Sequence, residues 1–462
     1  MKKIILFLLL SVTSTLFAQD ISGSWTGILD LPTSKLPLVF HFTKTNDGYI
    51  ATMDSPNQGA KGIPVNDITF INQKLSISIA PAAIKYTGKW TSDTEITGTF
   101  EQGTFATPLI LTKGVVEIKR PQEPVQPYPY YSENVQFMNS KENISFGGTL
   151  SLPKKEGKFP AVILISGSGQ QNRDSEILGH KPFLIISDYL TRNGIAVLRY
   201  DDRGVGESNG NPMLATSADF ATDAKAAIEY LRTRKEIDAK KIGVIGHSEG
   251  GMIAPMLAAT DKNISFLVLL AGTGVTGDVL LIDQNYEVGK QAGMSEEELN
   301  ASKITNQTIY NILKEDVDLT VIKTKLTAYF QSNVDKIPAS ERPTQQEIDK
   351  TLKQEVDGIV TPWLRYFISY NPKENLKKVK CPVLVLNGEK DIQVTADLNT
   401  KGITEALKEG GNKKVTLQIF PGLNHLFQHC TTCKAEEYSL IDETFSTEVL
   451  KTMSDWIQKQ VK

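Results

Sequence analysis

Six short, almost wholly apolar runs recur along the chain from residue 160 onward: Pro160–Ser166, Ile195–Tyr200, Ile242–Gly246, Phe266–Ala271, Pro382–Asn387 and Val415–Phe420. A strand with one wet face alternates apolar and polar residues. Runs apolar at every position, bounded by turn residues, are strands covered on both faces, as in a parallel sheet. Between them lie helical stretches such as Pro182–Arg192, closed by Asn193-Gly194, and Ala218–Arg232. Short strands separated by helices predict an α/β fold with a doubly wound, mostly parallel sheet. Val135–Met138 and Ile144–Leu152 add an antiparallel hairpin at its edge. One connection breaks the rhythm, because about one hundred residues separate Gly272 from Cys381, too many for a structureless loop. Its content is helical, opening on the capping box Ser295-Glu296-Glu297-Glu298, and predicts a helical cap over about 275–378 inserted into the core.

The first quarter of the chain reads differently. From Ile21 to Lys113 apolar and polar residues alternate in short runs (Leu36–Phe42, Lys74–Ile79, Pro108–Leu111), which predicts a separate all-β module, a barrel or sandwich, over 19–115. Gly23-Ser24-Trp25-Thr26-Gly27 opens it in the manner of a small lipocalin-like sheet. A packing role suits the module better than a ligand-binding one. Residues 116–130, rich in Pro, form a linker to an α/β domain over 131–462. Before the module, Met1-Lys2-Lys3 precedes the apolar run Ile4–Leu10 and a segment ending Leu16-Phe17-Ala18. This is the pattern of a signal peptide, 1–18, cleaved after Ala18 and directing the chain to the periplasm or beyond. Net charge over the 462 residues is −3, which sets up no field for nucleic acid, and no later run is long enough to span a membrane.

The chemistry concentrates in Gly246-His247-Ser248-Glu249-Gly250-Gly251, which follows the strand Ile242–Ile245 and opens a helix over Met252–Ala259. This is G-x-S-x-G in its strand-turn-helix setting. A serine hydroxyl is a weak nucleophile near neutral pH and needs a base, itself oriented by an acid. Five histidines are present. His41 lies in the β-module, His180 precedes the nucleophile, and His247 is its neighbour, facing elsewhere. His429 lies too deep in the following segment, which leaves His425, after the strand Val415–Phe420. The acid should leave the preceding strand, where Asp391 is preferred over Glu389. An oxyanion hole needs two amides. Glu249 supplies one, and the loop Ser166-Gly167-Ser168-Gly169 supplies the other from Ser168 or Gly169.

Residues from Tyr131 to the C-terminus resemble the α/β-hydrolase superfamily, specifically its secreted bacterial carboxylesterase branch, near the prolyl-oligopeptidase-like and serine-aminopeptidase-like hydrolases. The matching segments are Ser166–Gly169, Tyr200-Asp201-Asp202-Arg203-Gly204-Val205-Gly206-Glu207-Ser208, Gly246–Gly251 and Gly422-Leu423-Asn424-His425. Ser166 departs from the commoner His-Gly oxyanion motif. The resemblance implies a serine esterase that forms an acyl-enzyme, needs no metal or organic cofactor, and takes a small-molecule ester as partner. Its oligomeric state is left open. In Tyr200–Ser208, Arg203, standing between acidic residues, is expected to pin the loop after its strand by ion pairing, while Gly204 and Gly206 permit the turn.

Three features compete for attention. Cys430 and Cys433 suit a local disulfide better than a zinc site, which would take His425 from its role as base, while Cys381 reads as a buried free thiol. Trp363, Tyr366, Phe367 and Tyr370 share one helical face; they pack the cap, and the first three are candidates for an acyl pocket. The same triad cleaves amides, so an aminopeptidase or acyl-peptidase is the alternative, with Glu296–Glu298 the one feature suited to an amino terminus. A glycan- or lipid-binding protein with a vestigial hydrolase domain is a third reading, while a dehalogenase is disfavoured because position 248 is Ser.

Overall fold

The computed structural model describes residues 20–30, 35–56, 60–114, 120–315 and 317–462; the leader read at 1–18 lies outside them. The chain divides into two compact units, 1–118 and 119–462.

Among the described residues of the first unit nine antiparallel strands, β1 (Gly23–Asp30), β2 (Lys35–Thr45), β3 (Gly48–Ser55), β4 (Ala60–Pro64), β5 (Asp67–Ile71), β6 (Lys74–Ile79), β7 (Ile84–Ser92), β8 (Glu95–Gln102) and β9 (Phe105–Lys113), form one sheet. Their order is β4-β3-β2-β1-β9-β8-β7-β6-β5. The sheet curls so that its ends approach: the Tyr49 ring of β3 and the Phe70 ring of β5 meet edge-on at 6.2 Å. It is a half-barrel rather than a sandwich. The inward residues of its alternating strands, among them Trp25, Phe40, Leu75, Tyr86 and Phe100, fill the inner face as a hydrophobic core.

Among its described residues the second unit carries eight strands: β10 (Tyr131–Asn139), β11 (Ile144–Leu152), β12 (Phe159–Ile165), β13 (Ala196–Tyr200), β14 (Ile237–His247), β15 (Leu267–Leu270), β16 (Val383–Gly388) and β17 (Val415–Phe420). Their order is β10-β11-β13-β12-β14-β15-β16-β17, antiparallel at the β10–β11–β13 edge and parallel from β13 to β17. The apolar runs are the central strands: β13, β15 and β16 are buried at every position. Helices α1 (Pro182–Arg192), α2 (Ser217–Thr233) and α3 (Glu249–Thr260) accompany the first crossovers. Between β15 and β16 come α4 (Gly277–Gln291), α5 (Glu296–Leu313), α6 (Leu319–Val334), α7 (Gln345–Ile359), α8 (Pro362–Ser369) and α9 (Lys373–Leu376). This insertion has a core of its own, built from Tyr310, Leu313, Ile322, Leu326, Val356 and Ile368. Helices α10 (Ala396–Glu409) and α11 (Thr447–Gln460) complete the unit. No described helix is long and apolar enough to cross a membrane.

Residues 120–130, read from sequence as part of a linker, belong to the second unit. The Arg120 guanidinium donates to the carbonyls of Leu178, Gly179, Ser439 and Ile441, and Gln122 bonds Thr444 and Phe445.

Candidate functional site

The parallel strands converge on a site at their carboxyl ends, where crossover connections leave the sheet. At the end of β14, Ser248 has φ 54° and ψ −115°, a conformation L-residues seldom hold. Its amide donates to Leu270 O at 2.9 Å, and its carbonyl accepts from Gly251 N at 2.9 Å. The turn also demands glycine beside it: a Cβ at Gly246 would stand 2.0 Å from Gly250 O, and one at Gly250 would stand 2.2 Å from Ile165 O. Helix α3 therefore starts directly over β12, with the Glu249 amide in its first turn.

After β16, Asp391 is almost fully buried, and its Oδ1 accepts from the Gln393 and Val394 amides at 2.8 and 2.9 Å. Its Oδ2 lies 2.8 Å from Nδ1 of His425, itself 5% exposed. Glu389 is half-exposed, pairs with Lys390 and accepts from Gly422 N, so it faces away from the imidazole. His425 sits in the turn after β17, where the Asn424 side chain accepts from the Leu426 and Gln428 amides. His429 is paired with Glu443 and largely exposed.

A cavity of about 320 Å³ joins these groups, lined by Ser248, His425, Glu249 and Ser168 together with Trp363 and Phe367 of the inserted α8. The loop after β12 lies against Ser248: a Cβ at Gly167 would be 3.2 Å from that of Ser248. Ser168 lines this cavity and Gly169 does not, although both line a larger neighbouring one. Of the aromatic stripe, Trp363 and Phe367 reach the cavity, while Tyr366 does not line it. Helical spacing gives a shared face but not its rotation toward the cavity, and Tyr366 instead stacks on Tyr370, which lies just past the end of α8. The carboxylates at Glu296–Glu298 begin α5 in a capping box and line neither cavity.

Two residues take part that sequence reasoning passed over. Asp202 clamps both ends of the loop carrying Ser168, accepting from the Ser166 hydroxyl at 2.9 and 3.0 Å and from the Gln171 amide at 3.0 Å. The Ser in place of His at position 166 thus has a partner in the Tyr200–Ser208 segment. Burial, with Glu249 and Asp223 adding to it, pushes the Asp202 carboxyl up to about 7. The second is His247, expected to face elsewhere. It packs on His425 with ring centroids 4.8 Å apart and donates from Nε2 to the His425 carbonyl at 3.0 Å. Burial, then the neighbouring His425, brings it down to about 4, so it is a neutral strut near pH 7. Arg203 does pin its loop, but through Asp223 of α2 at 2.7 and 2.8 Å, not through its sequence neighbours. Asp201 instead binds Arg173.

Cys430 and Cys433 are joined as a disulfide, and Cys381 is free and half-buried, its thiol pushed up to about 11 by burial.

The family described as serine aminopeptidase, S33, matches residues 183–429. The esterase EstD of Thermotoga maritima is 28% identical over 280 residues, 60% of this chain and 57% of that esterase. The putative hydrolase YtaP of Bacillus subtilis is 34% identical over 152 residues, 29% of this chain and 50% of that protein. The chain therefore spans about half the length of these relatives. Among solved structures, the esterase Pf2001 of Pyrococcus furiosus is similar with a TM-score of 0.41 and 15% identity, over 72% of this chain and 94% of that one.

Proposed function

We propose that this chain, which belongs to the α/β-hydrolase superfamily and within it to the family described as serine aminopeptidase, S33, is an exported serine esterase with Ser248 as nucleophile, His425 as base and Asp391 as its orienting acid. The reading is carried by the buried His425–Asp391 pair facing the cavity that Ser248 lines from its strained turn. With Nδ1 held by Asp391, Nε2 takes the Ser248 proton as Oγ attacks the ester carbonyl carbon. The carbonyl π pair moves to oxygen, where the Glu249 amide and an amide of the Ser168 loop receive it. As the tetrahedral centre collapses, the C–O bond to the alcohol breaks and the imidazolium returns its proton to the departing oxygen. Water, deprotonated by the same nitrogen, then attacks the acyl-enzyme and releases the acid. No step calls on a metal or organic cofactor.

Ser248→Ala should abolish hydrolysis of p-nitrophenyl butyrate and labelling by a fluorophosphonate. A variant that turns over the ester at the wild-type rate removes the proposal.

An amide substrate is the second reading, favoured by the Asp202 and Glu249 carboxylates beside the Ser168 loop, to which an α-ammonium could pair. Faster turnover of aminoacyl-nitroanilides than of short acyl esters would select it. Export is supported by the lysine-led leader at 1–18 and by the Cys430–Cys433 bond, a linkage that persists in oxidising compartments. Gln19 as the first residue of the mature chain is the expected result of N-terminal sequencing.

A further inference from the structure

The larger of the two cavities, about 470 Å³, has neither Ser248 nor His425 on its wall, yet it shares Gly167, Ser168, Glu249 and Trp363 with the cavity that does. Resting on the esterase reading above, this asymmetry sorts the two arms of an ester. The alcohol oxygen must receive its proton from His425, so the alcohol lies on the histidine side. The carbonyl oxygen points at the amides of Glu249 and the Ser168 loop. The acyl carbon chain then leaves on the remaining side, past the shared residues and away from His425.

The two walls differ in degree. On the histidine side the lining is mixed: the buried Oγ1 of Thr273 has no hydrogen-bond partner among the described residues, and Gln284 and Gln393 stand among Leu280, Leu281 and Leu426, so that wall can meet an alcohol and the incoming water. The larger cavity is bounded by Ile165, Phe220, Ile253, Leu364 and the Trp363 ring, a mostly apolar surface of the kind that holds hydrocarbon. Its charged groups are Asp202, Asp223 and Glu249 against Arg203 alone, and Arg203 is already bound to Asp223. A second carboxylate on the acyl arm would meet unbalanced like charge there.

We propose that this second cavity receives the acyl arm, and that the arm is a largely apolar acyl group larger than acetyl, of medium chain length or carrying an aromatic ring, and without a negative charge.

Gly358 of the inserted α7 supplies the test. It lines the larger cavity, and a Cβ built there meets nothing within 4 Å, so a side chain can grow into open space from a helical position. Gln284 of α4 lines the smaller cavity only. Two substrate series are compared by kcat/KM: p-nitrophenyl acetate, hexanoate and phenylacetate, which vary the acyl group, and methyl, hexyl and 2-naphthyl acetate, which vary the alcohol. The wild type should prefer hexanoate or phenylacetate to acetate, and should disfavour the p-nitrophenyl half-ester of succinate relative to hexanoate. Gly358→Phe should lower the hexanoate-to-acetate ratio by about tenfold and leave the alcohol ratios in place. Gln284→Trp should shift the alcohol ratios and leave the acyl ratios in place. The reverse pattern, no change of either ratio, or a wild type that prefers acetate or succinate, overturns the assignment. Because ratios are read within one variant, a general loss of folded enzyme does not imitate the result. Wild-type protein that neither hydrolyses any ester of the two series nor is labelled at Ser248 would instead overturn the esterase reading itself.

Discussion

Two places in this molecule bring together a serine, a histidine and an aspartate. In the β-module, Ser24 Oγ lies 2.9 Å from Nδ1 of His41, whose Nε2 lies 2.9 Å from Asp54. In the α/β unit, His425 and Asp391 are as close, and Ser248 shares their cavity. By side-chain inventory the first trio is the equal of the second. What separates them is the backbone. Ser24 sits inside β1 directly opposite His41 of β2, so its neighbouring amides belong to the sheet ladder and its side chain to a half-buried sheet face. Ser248 stands on a left-handed turn between strand and helix, with the first-turn amide of Glu249 beside it and a cavity in front. The acids differ too: Asp391 is almost fully buried and held by two amides, while Asp54 is partly exposed, with a side-chain exposure of 22%. On the proposed function, a hydrogen-bonded trio alone would be insufficient, and the turn and the cavity would supply what the sheet face lacks.

The sharpest way to break this contrast is a pair of alanines. Ser248→Ala should lower kcat on p-nitrophenyl butyrate by about 10⁴-fold or more, and Ser24→Ala should leave it within about twofold. Equal losses would mean that the β-module trio takes part in the chemistry. Next comes the pair of acids. Asp391→Asn should lower kcat by on the order of 10³–10⁴-fold with KM little changed, because the imidazole loses its required tautomer; Asp54→Asn should not register in the same assay.

A smaller effect is expected at the loop clamp. Ser166→Ala removes one donor to Asp202 and should lower kcat about tenfold, less than the loss of an oxyanion donor itself. The clamp also has a pH signature. Below about pH 4 the Asp202 carboxyl is protonated in both folded and unfolded chains, and between about 4 and 7 only the folded chain keeps the proton, so raising the pH through this window favours unfolding. Asp202→Asn should accordingly gain thermal midpoint relative to wild type on going from pH 4.5 to pH 8. An equal offset at both pH values would remove the role of this carboxyl. The smallest effect belongs to the β-module: His41→Ala should cost the stability of residues 20–114 roughly 1 kcal/mol, measured by urea denaturation, with esterase activity untouched.

How much of this could be read beforehand follows from the distances over which each feature is written. The Ser248 turn was legible because its requirements are local: glycines at 246 and 250 where a Cβ would collide, an apolar strand before and a helix after. Asp391 was legible for a similar reason, lying just past the end of a recognisable strand. The inserted helices announced themselves through length and the Ser295 capping box. Asp202 and His247 were not, since their partners lie 31 and more residues away, at Gln171 and Ser166, and 178 residues away, at His425. The pinning role of Arg203 was legible, but its partner Asp223, on the following helix, was not. Tyr366 failed because periodicity says which residues share a face, and only packing says what that face looks upon.

The inserted helices bear on more than shape. Gly358, Thr361, Trp363 and Leu364 of the insertion form one wall of the larger cavity, while Ser248, Asp391 and His425 all lie outside residues 277–376. On the proposed function, the reacting groups would thus belong to the core strands' ends, whereas the larger cavity is walled jointly by the insertion and by Ile165, Phe220 and Ile253 of the core.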